Sequence, residues 1–325
     1  MDPTKHASAG EDLAAQFEEM EVAVSGGRHS GSRRGVNKGG RGGGGGSGGG
    51  RGGREVTLSK ALSKLLRHQA QSAGVELDKE GYAPLDKVLS WGPLRSLAPT
   101  FSEILAAVHN SDKQRFALKP NPSTNPSLNA SSTDPSHWLI RANQGHSIKL
   151  DSEHLLKPLS PESPTPEGAL PIPPFVIHGT YFAFWPSIVS SGGLKPMGRN
   201  HVHFSTGLPE DTEAGVISGM RRDAEVLVYV DVERSMREGG IKWWMSDNGV
   251  VLTEGGEDGL VPCIYFKEVV GRKQGVGVLW RDGEWVSDLP EGLKIVVPQG
   301  KGRGLGGGGG AGRGRGGRGG RQRGR

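Results

Sequence analysis

Cysteine is almost missing from this sequence, in which Cys263 is the one thiol among 325 residues. A single cysteine excludes an internal disulfide and any zinc site built on cysteine ligands. Long apolar runs are missing too, because stretches such as 169–177 fall far short of the roughly 20 residues that a membrane-spanning helix needs. The N-terminus is polar and acidic and lacks a secretory signal pattern. We therefore expect an intracellular protein, nuclear or cytoplasmic or both, without a membrane partner.

Acidic residues are missing from two glycine-rich segments, 26–54 and 300–325, which together hold 31 of the 55 glycines. Their net charges are +7 and +8, whereas residues 1–25 and 55–299 each carry −5. Such Gly/Arg tracts bury too little apolar surface to fold, and flexible arginines bind RNA phosphates with little sequence preference. We predict disordered tails at 1–54 and 300–325. The alternative is a solubilising role without RNA binding.

The segment 55–156 has the pattern of a small helical module. Leucines repeat at helical spacing, and two further apolar patterns of helical period follow. The predicted helices run from Thr57 or Ser59 to about Gly74, from Pro84 to Trp91, and from Phe101 to His109. Two short strands, at 115–118 and 138–141, flank an inserted loop at 119–136 that is rich in Asn, Ser and Pro. This order of elements is similar to a winged helix.

A proline-rich linker is predicted at 157–174, followed by a β-rich lobe at 175–299. Short runs of β-branched and aromatic residues predict its strands. They lie at 175–177, 202–204, 226–232, 250–252, 264–266 and 294–297. One helix is predicted at 182–191, where a Gly-Gly pair ends it. The chain is therefore expected to have an α+β fold flanked by disordered tails.

Basic residues line one side of the first predicted helix. Their spacing, at i, i+4, i+7 and i+8, places Lys60, Lys64, Arg67 and His68 beside the leucine face. A phosphate dianion would suit such a stripe of positive charge. The alternative is a solvated basic face that binds nothing.

The segment 140–147 follows a predicted strand and concentrates a guanidinium, two amides, an imidazole and a hydroxyl. Ordering so many donors requires acceptors, which a ligand could supply. Arg141 is suited to a bidentate contact with phosphate, and Gly145 would let the backbone approach a ligand. An ordinary turn is the alternative for this string.

Two histidine-containing strings follow in the β-rich segment. His178 and Thr180 would face the same side of a strand, and Gly179 would leave room there for a flat amide or a ribose. The second string places three side chains on one strand face: His201, His203 and Ser205. Two histidines so spaced could also bind a metal, but no cysteine and only two acids are near, so we do not expect a metal site.

Two further strings are weaker on their own. Arg221 and Arg222 form a guanidinium pair before a predicted strand, and the string 246–250 indicates a hairpin.

Five of these strings, in this order, make the chain resemble the RNA 2′-phosphotransferase family. They lie at 66–68, 141–147, 178–180, 199–205 and 219–222. The resemblance covers about 56–270 and implies a winged-helix-like RNA lobe joined to an ADP-ribosyltransferase-like lobe that binds NAD. The inserted loop, the linker and both tails exceed the core of that family.

The resemblance implies a two-step reaction that completes tRNA splicing. The RNA 2′-phosphate attacks the anomeric carbon of the nicotinamide ribose of NAD and expels nicotinamide. The ribose 2-hydroxyl then attacks the phosphorus, which frees the RNA 2′-hydroxyl and gives ADP-ribose 1″,2″-cyclic phosphate. The first step needs a phosphate dianion held in line with a developing oxocarbenium ion, and the second adds charge on a pentavalent phosphorus. Arginine serves both steps, because it binds phosphate with two donors and stays protonated. The expected protein is an NAD-dependent transferase that uses no metal.

The resemblance also implies roles for single residues. The catalytic set is Arg67, His68, Arg141 and Arg221. RNA phosphate would be bound by Lys64, Arg67, Arg141 and His146. NAD would be bound by His178, Gly179, Thr180, Arg199, His201, His203 and Ser205. Within the catalytic set, His68 would handle a proton, while Arg221, rather than Arg222 or Arg199, would stabilise the charge of the second step.

Two other classes remain open at this point. One is an ADP-ribosyltransferase that stops after the first step, and the other is an RNA-binding protein without catalysis. The expected partners are NAD and a ligated tRNA that carries the 2′-phosphate, and the expected oligomeric state is a monomer. The tails predict that deleting both raises the KM for tRNA and leaves kcat nearly unchanged.

Overall fold

The fold is given by a computed structural model that describes residues 51–111, 113–208 and 219–298. The tails predicted at 1–54 and 300–325 lie outside these residues, apart from 51–54. Those four residues begin the first helix.

Seven α-helices lie within the described part of the chain. They are α1 (Arg51–Lys64), α2 (Leu85–Ser90), α3 (Gly92–Leu97), α4 (Phe101–His109), α5 (Ser152–Leu155), α6 (Trp185–Ser190) and α7 (Val232–Gly239). The strands of the N-terminal half are β1 (Ala83–Pro84), β2 (Phe116–Pro120) and β3 (Trp138–Ala142). Those that follow are β4 (Lys157–Ser160), β5 (Leu170–Pro171), β6 (Ile177–Thr180), β7 (Gly193–Leu194), β8 (Val202–Phe204), β9 (Val226–Val230), β10 (Trp244–Met245), β11 (Val251–Thr253), β12 (Val261–Pro262), β13 (Phe266–Gly271), β14 (Gly277–Arg281) and β15 (Glu284–Trp285).

The N-terminal half packs helices against an antiparallel sheet of order β1-β3-β2. The predicted leucine face of α1 is buried, and Leu62 packs in the same core cluster as Trp138 of β3. Burying a side chain of this size contributes about 1.5–3 kcal/mol. Thr57 lies inside α1 rather than at its N-cap, since its hydroxyl donates back to the Gly53 carbonyl at 2.8 Å. Beyond α1 the chain continues as the π-helical turn Leu65–Gln69.

The boundaries of α4 agree with the sequence prediction because the sequence encodes its start. The Thr100 hydroxyl accepts from the Glu103 N–H, and the Glu103 carboxylate accepts from the Thr100 N–H. This reciprocal pair satisfies two backbone donors that the helix itself cannot.

The C-terminal half contains two five-stranded sheets, of orders β5-β4-β10-β11-β8 and β15-β14-β13-β9-β6. The two sheets meet at a bridge between Ile177 and Ser205. Large aromatic side chains, among them Phe182, Phe204 and Trp243, fill the core between them. The sheets thereby bring β6 and β8, which carry two of the histidine strings, next to each other.

The mixed α+β composition is confirmed, and several local predictions differ from the structure. Part of the expected linker at 157–174 belongs to the sheet, because β4 pairs with β10 and Leu159 lies in the core. The segment 294–297 is not a strand. Helix α7 was not predicted, because half of its residues are charged and only Val232 and Ser235 are buried. None of the helices described is long and apolar enough to cross a membrane.

Candidate active site

The candidate site lies where the two halves of the molecule meet. Backbone contacts join the π-helical turn after α1 to the loop after β3, since the Arg67 carbonyl accepts from the N–H groups of Ser147 (2.9 Å) and Ile148 (3.2 Å). That loop contacts the C-terminal half in turn, because the Asn200 N–H donates to the His146 carbonyl at 2.9 Å. Hydrogen bonds of the backbone therefore fix the distance between the strings at 66–68, 141–147 and 199–205.

Arg67 is held in place by apolar neighbours in sequence and by a glycine across the loop. Leu65 and Leu66 are fully buried and anchor the π-helical turn. Gly145, at φ +91°, lies against the Arg67 side chain, and a Cβ there would be 3.5 Å from Cζ of the guanidinium. Gly145 therefore lets the loop adopt its left-handed conformation directly over Arg67.

The guanidinium of Arg67 has buried donors that no described group satisfies. Its Nε and Nη2 atoms are buried and have no hydrogen-bond partner. The pKa of Arg67 is lowered to about 10, mainly by burial and to a smaller extent by the neighbouring charges of Arg199 and Arg115. A buried, unpaired cation beside two others is costly unless an anion joins it.

His68 lies beside Arg67 at the more exposed edge of the cluster. Its Nδ1 atom is 2.9 Å from the Ser147 hydroxyl. Partial burial lowers the pKa of His68, and the charges of Arg199 and Arg67 act in the same direction. The imidazole is therefore neutral at pH 7 and available to accept a proton.

Arg141 lies on β3 and has one partner in the N-terminal half of the molecule and one in the C-terminal half. One of its terminal nitrogens donates to the Glu80 carbonyl at 2.9 Å, and the other pairs with the Asp247 carboxylate of the C-terminal half. Its guanidinium lies over the ring of Tyr82, with Cζ 4.7 Å from the centroid. Nε has no partner and is buried. Arg141 is thus oriented by the protein itself while one donor stays unsatisfied.

His146 is the most deeply buried titratable group of the cluster, at 1% exposure. Burial lowers its pKa to about 3, with smaller contributions from the charges of Arg67, His201 and other neighbours. Its Nε2 atom has no hydrogen-bond partner. A neutral imidazole therefore lies among the cations and does not add to their charge.

The C-terminal half contributes His178, His203 and Arg199. His178 Nδ1 donates to the His203 carbonyl at 3.0 Å, and His203 Nδ1 donates to the His201 carbonyl at 2.9 Å. Burial lowers the pKa of both rings, that of His203 well below its usual value, so both rings are neutral. His203 Nε2 also lies 2.9 Å from the side-chain oxygen of Gln144. Arg199 Nη1 can donate to His203 Nε2 at 3.4 Å, and burial and the charge of Arg221 lower the pKa of Arg199.

Other predicted residues of this half have internal partners. His201 Nε2 lies 2.8 Å from the Ser152 hydroxyl, which also donates to Glu254. Ser205 donates to the Gly207 carbonyl at 2.7 Å, and Thr180 is buried at the end of β6. These side chains are directed into the C-terminal half and not into open space, so they support the site indirectly.

Arg221 is exposed and lies on the segment 219–224, which is anchored at three points. Gly219, at φ +106°, packs so closely on the Phe204 carbonyl that a Cβ would be 2.7 Å from its oxygen. Met220 fills the space opposite Gly179, where a Cβ would be 2.5 Å from the Met220 Cγ, so that space is not left for a ligand. At the third point, Tyr181 donates to the Asp223 carboxylate at 2.9 Å. Ser218 of the predicted string lies outside the described residues.

Sequence reasoning missed two partners of the cluster. Arg115 lies close enough to Arg67 to lower its pKa, but its string indicated only a strand. Asp247 pairs with Arg141, although 246–250 indicated only a hairpin. Lys64 is exposed on α1, one turn before His68. The described residues include no group of three or more His, Cys, Asp or Glu side chains placed to hold a metal.

The charges that shift the arginines of this cluster are positive. Arg67 is affected by Arg199 and Arg115, and Arg199 by Arg221, with no acid among these influences. Such an arrangement favours the binding of an anion, and arginine forks match the oxygens of phosphate. The fold and the site therefore define a protein that handles phosphate groups.

Comparison with known proteins identifies the family. The model of the family described as "RNA 2'-phosphotransferase, Tpt1 / KptA family" matches residues 53–255. The chain is 42% identical to tRNA 2'-phosphotransferase 1 of Bos taurus over 217 residues, which are 66% of this chain and 75% of the relative. Identity to the Homo sapiens protein of that name is 39% over 217 residues (66% and 76%). Identity to tRNA 2'-phosphotransferase of Saccharomyces cerevisiae is 37% over 201 residues (61% and 78%). The chain belongs to the RNA 2′-phosphotransferase family and is an enzyme of this transferase class.

Proposed function

We propose that this enzyme removes the 2′-phosphate from ligated tRNA at the end of splicing and uses NAD as co-substrate. The names of the relatives support tRNA as the substrate. The observation that carries the proposal is the pair of buried Arg67 donors without a partner, because a 2′-phosphate dianion supplies both the acceptors and the charge that they lack.

Arg67 and Arg141 bind the 2′-phosphate in this proposal. Arg67 offers two unsatisfied donors and Arg141 offers one, and both reach the cluster from the N-terminal half. His146 supplies a further buried nitrogen, and Lys64 adds positive charge at the exposed end. Because these donors are already oriented before the substrate arrives, little reorganisation is needed as charge develops on phosphate.

The residues of the C-terminal half fit a dinucleotide that carries a pyrophosphate. NAD would supply an anomeric carbon and nicotinamide as its leaving group. Arg199 provides a cation for the pyrophosphate, and the neutral rings of His178 and His203 can lie beside a ribose without opposing positive charge at the anomeric carbon. The chemistry of these residues supports the proposal, because the Arg199 cation lies next to neutral imidazoles and no carboxylate is directed at them among the described contacts.

Proton handling and charge stabilisation fall to two further residues. His68 is neutral, partly exposed and next to the Arg67 position, so it can accept a proton during the second step and return it to the RNA hydroxyl. Arg221 lies close enough to Arg199 and His178 to affect the pKa of each, and it would stabilise the charge on phosphate in that step.

We also propose an intracellular compartment, nuclear or cytoplasmic, and a monomer. A single buried thiol supports a reducing compartment, and one chain contributes both halves of the site.

The test is an incubation of the protein with NAD and an RNA that bears one internal 2′-phosphate, followed by mass spectrometry of RNA and nucleotide products. We expect loss of the phosphate and formation of ADP-ribose 1″,2″-cyclic phosphate. Arg67→Ala should abolish both, whereas Arg95→Ala, an exposed arginine of α3, should not. An RNA that gains ADP-ribose and keeps it, or a reaction that proceeds without NAD, would contradict the proposal.

A further inference from the structure

A second basic feature lies outside the cluster, along the outer side of α1. A cavity of about 390 Å³ separates this helix from the C-terminal end of α4, and we name it the α1 groove. Its lining includes the cations Lys60, Lys64 and Arg115 together with the neutral imidazole of His68. Hydroxyl groups of Ser59, Ser63 and Ser111 alternate with these cations. The lining therefore offers charge and hydrogen-bond donors together, as a sugar-phosphate chain requires.

No acid of the described residues neutralises the cations of the α1 groove by an ion pair. Lys60 and Lys64 are exposed and form no ion pair with a described residue. Arg115 Nη1 donates to the Ser111 hydroxyl at 3.0 Å, a contact that leaves its charge unbalanced. Glu55 is the one acid among the lining residues, and it lies at the far end of the groove from His68. Three uncompensated cations on a protein segment with a negative net charge indicate a local anion-binding surface.

The groove leads into the candidate site. His68 belongs to both, since it lines the groove and contacts Ser147 of the cluster. Arg115 also connects them, because its charge lowers the pKa of Arg67. From Lys60 to His68 the helix rises about 12 Å, which accommodates about three nucleotides of a stacked strand at about 3.4 Å each.

We propose that the α1 groove binds the backbone phosphodiesters of the nucleotides next to the one that carries the 2′-phosphate. This inference rests on the proposed function and extends it from the reacting phosphate to the neighbouring strand. Lys60 and Arg115 contact phosphodiesters, the serine hydroxyls contact sugar or phosphate oxygens, and the strand leaves the groove at Glu55. The contacts are independent of base sequence, so they add affinity for single-stranded RNA without selecting a base.

The test separates binding of the strand from binding of the reacting phosphate. The variant is Lys60→Gln, and the matched control is Lys87→Gln, whose side chain is 69% exposed on α2 outside the groove. One measurement is the KM for a 2′-phosphorylated dinucleotide and for a 2′-phosphorylated RNA of about ten nucleotides. We expect Lys60→Gln to raise the KM of the longer RNA about fivefold and to leave the dinucleotide KM and kcat within about twofold. Lys87→Gln should change neither.

A binding measurement tests the same proposal without requiring catalytic turnover. By fluorescence anisotropy, Lys60→Gln should weaken binding of the fully 2′-hydroxylated RNA by the same factor, because the groove does not contact the 2′-phosphate. The slope of log K against log salt should become shallower by about 0.7, the value for one phosphate contact on a single strand.

Two outcomes would overturn the proposal. Equal effects of Lys60→Gln on the dinucleotide and the longer RNA would place Lys60 at the reacting phosphate, and no effect on either would make the groove a solvated face. If the unmodified protein fails to turn over both substrates, the proposed function is wrong, and the anisotropy measurement still decides whether the groove binds RNA.

Discussion

The π-helical turn that carries Arg67 and the end of β3 that carries Arg141 contribute to the same half of the site, but their charges are balanced differently. Arg67 has two buried donors without partners, and the charges that lower its pKa are those of other arginines. Arg141 pairs with Asp247, donates to the Glu80 carbonyl and stacks on Tyr82. The donors of the first side chain find partners only when substrate binds, whereas both terminal nitrogens of the second already have partners in the protein. A site can thus combine an unsatisfied donor for binding with a fixed donor for alignment.

The largest effect is expected at Arg67. Arg67→Ala should lower kcat/KM about a thousandfold, since it removes buried donors that act on a phosphate whose charge is rearranged in the reaction. Arg67→Lys should lose nearly as much, because an ammonium cannot replace a planar fork. Steady-state kinetics with a 2′-phosphorylated RNA measures both, and Arg95→Ala is the control. A Lys variant with half of the original activity would mean that charge alone suffices at this position.

His146 lies between the two arginines and should make folding stability depend on pH. The unfolded chain binds a proton at this residue below its usual pKa of 6.5, but the folded chain does so only near pH 3. The unfolded state therefore binds more protons between these values, so the free energy of unfolding falls as the pH is lowered from 6.5 toward 3. Denaturant unfolding at several pH values should show a slope about 1.4 kcal/mol per pH unit smaller in His146→Asn. His154→Asn, at an exposed position of α5, should keep the original slope.

Asp247 is the residue that makes Arg141 different from Arg67. Asp247→Ala should raise the KM for 2′-phosphorylated RNA about tenfold, since Arg141 loses the partner that holds it in place. Asp247→Asn keeps an acceptor and should lose less. If either variant binds the RNA more tightly than the original protein, Asp247 competes with the phosphate, and the contrast between the two arginines would need a different explanation.

The sequence predicted the N-terminal part of the site better than the C-terminal part. The leucine period of α1 and the capping residues of α4 are local signals, so the positions of Lys64, Arg67 and His68 on one helix side could be predicted. The pairing of Arg141 with Asp247 joins residues that are 106 positions apart, and no local pattern contains it. The role of Gly179 was equally hidden, because the space beside it is filled by Met220 from another segment.

The smallest effect on kcat is expected from removing the hydroxyl group of Tyr181. Tyr181 donates to Asp223, two residues beyond Arg221, and so helps to hold the segment that carries this arginine. Tyr181→Phe removes one hydrogen bond of about 1 kcal/mol, so kcat should fall about threefold to fivefold while the KM for RNA stays within twofold. Tyr265→Phe, at a buried tyrosine of the turn Cys263–Tyr265, is the control and should leave both constants unchanged. A rise of the RNA KM with an unchanged kcat would instead indicate that Arg221 contributes to binding the substrate, and its anchoring would then matter before the chemical step rather than during it.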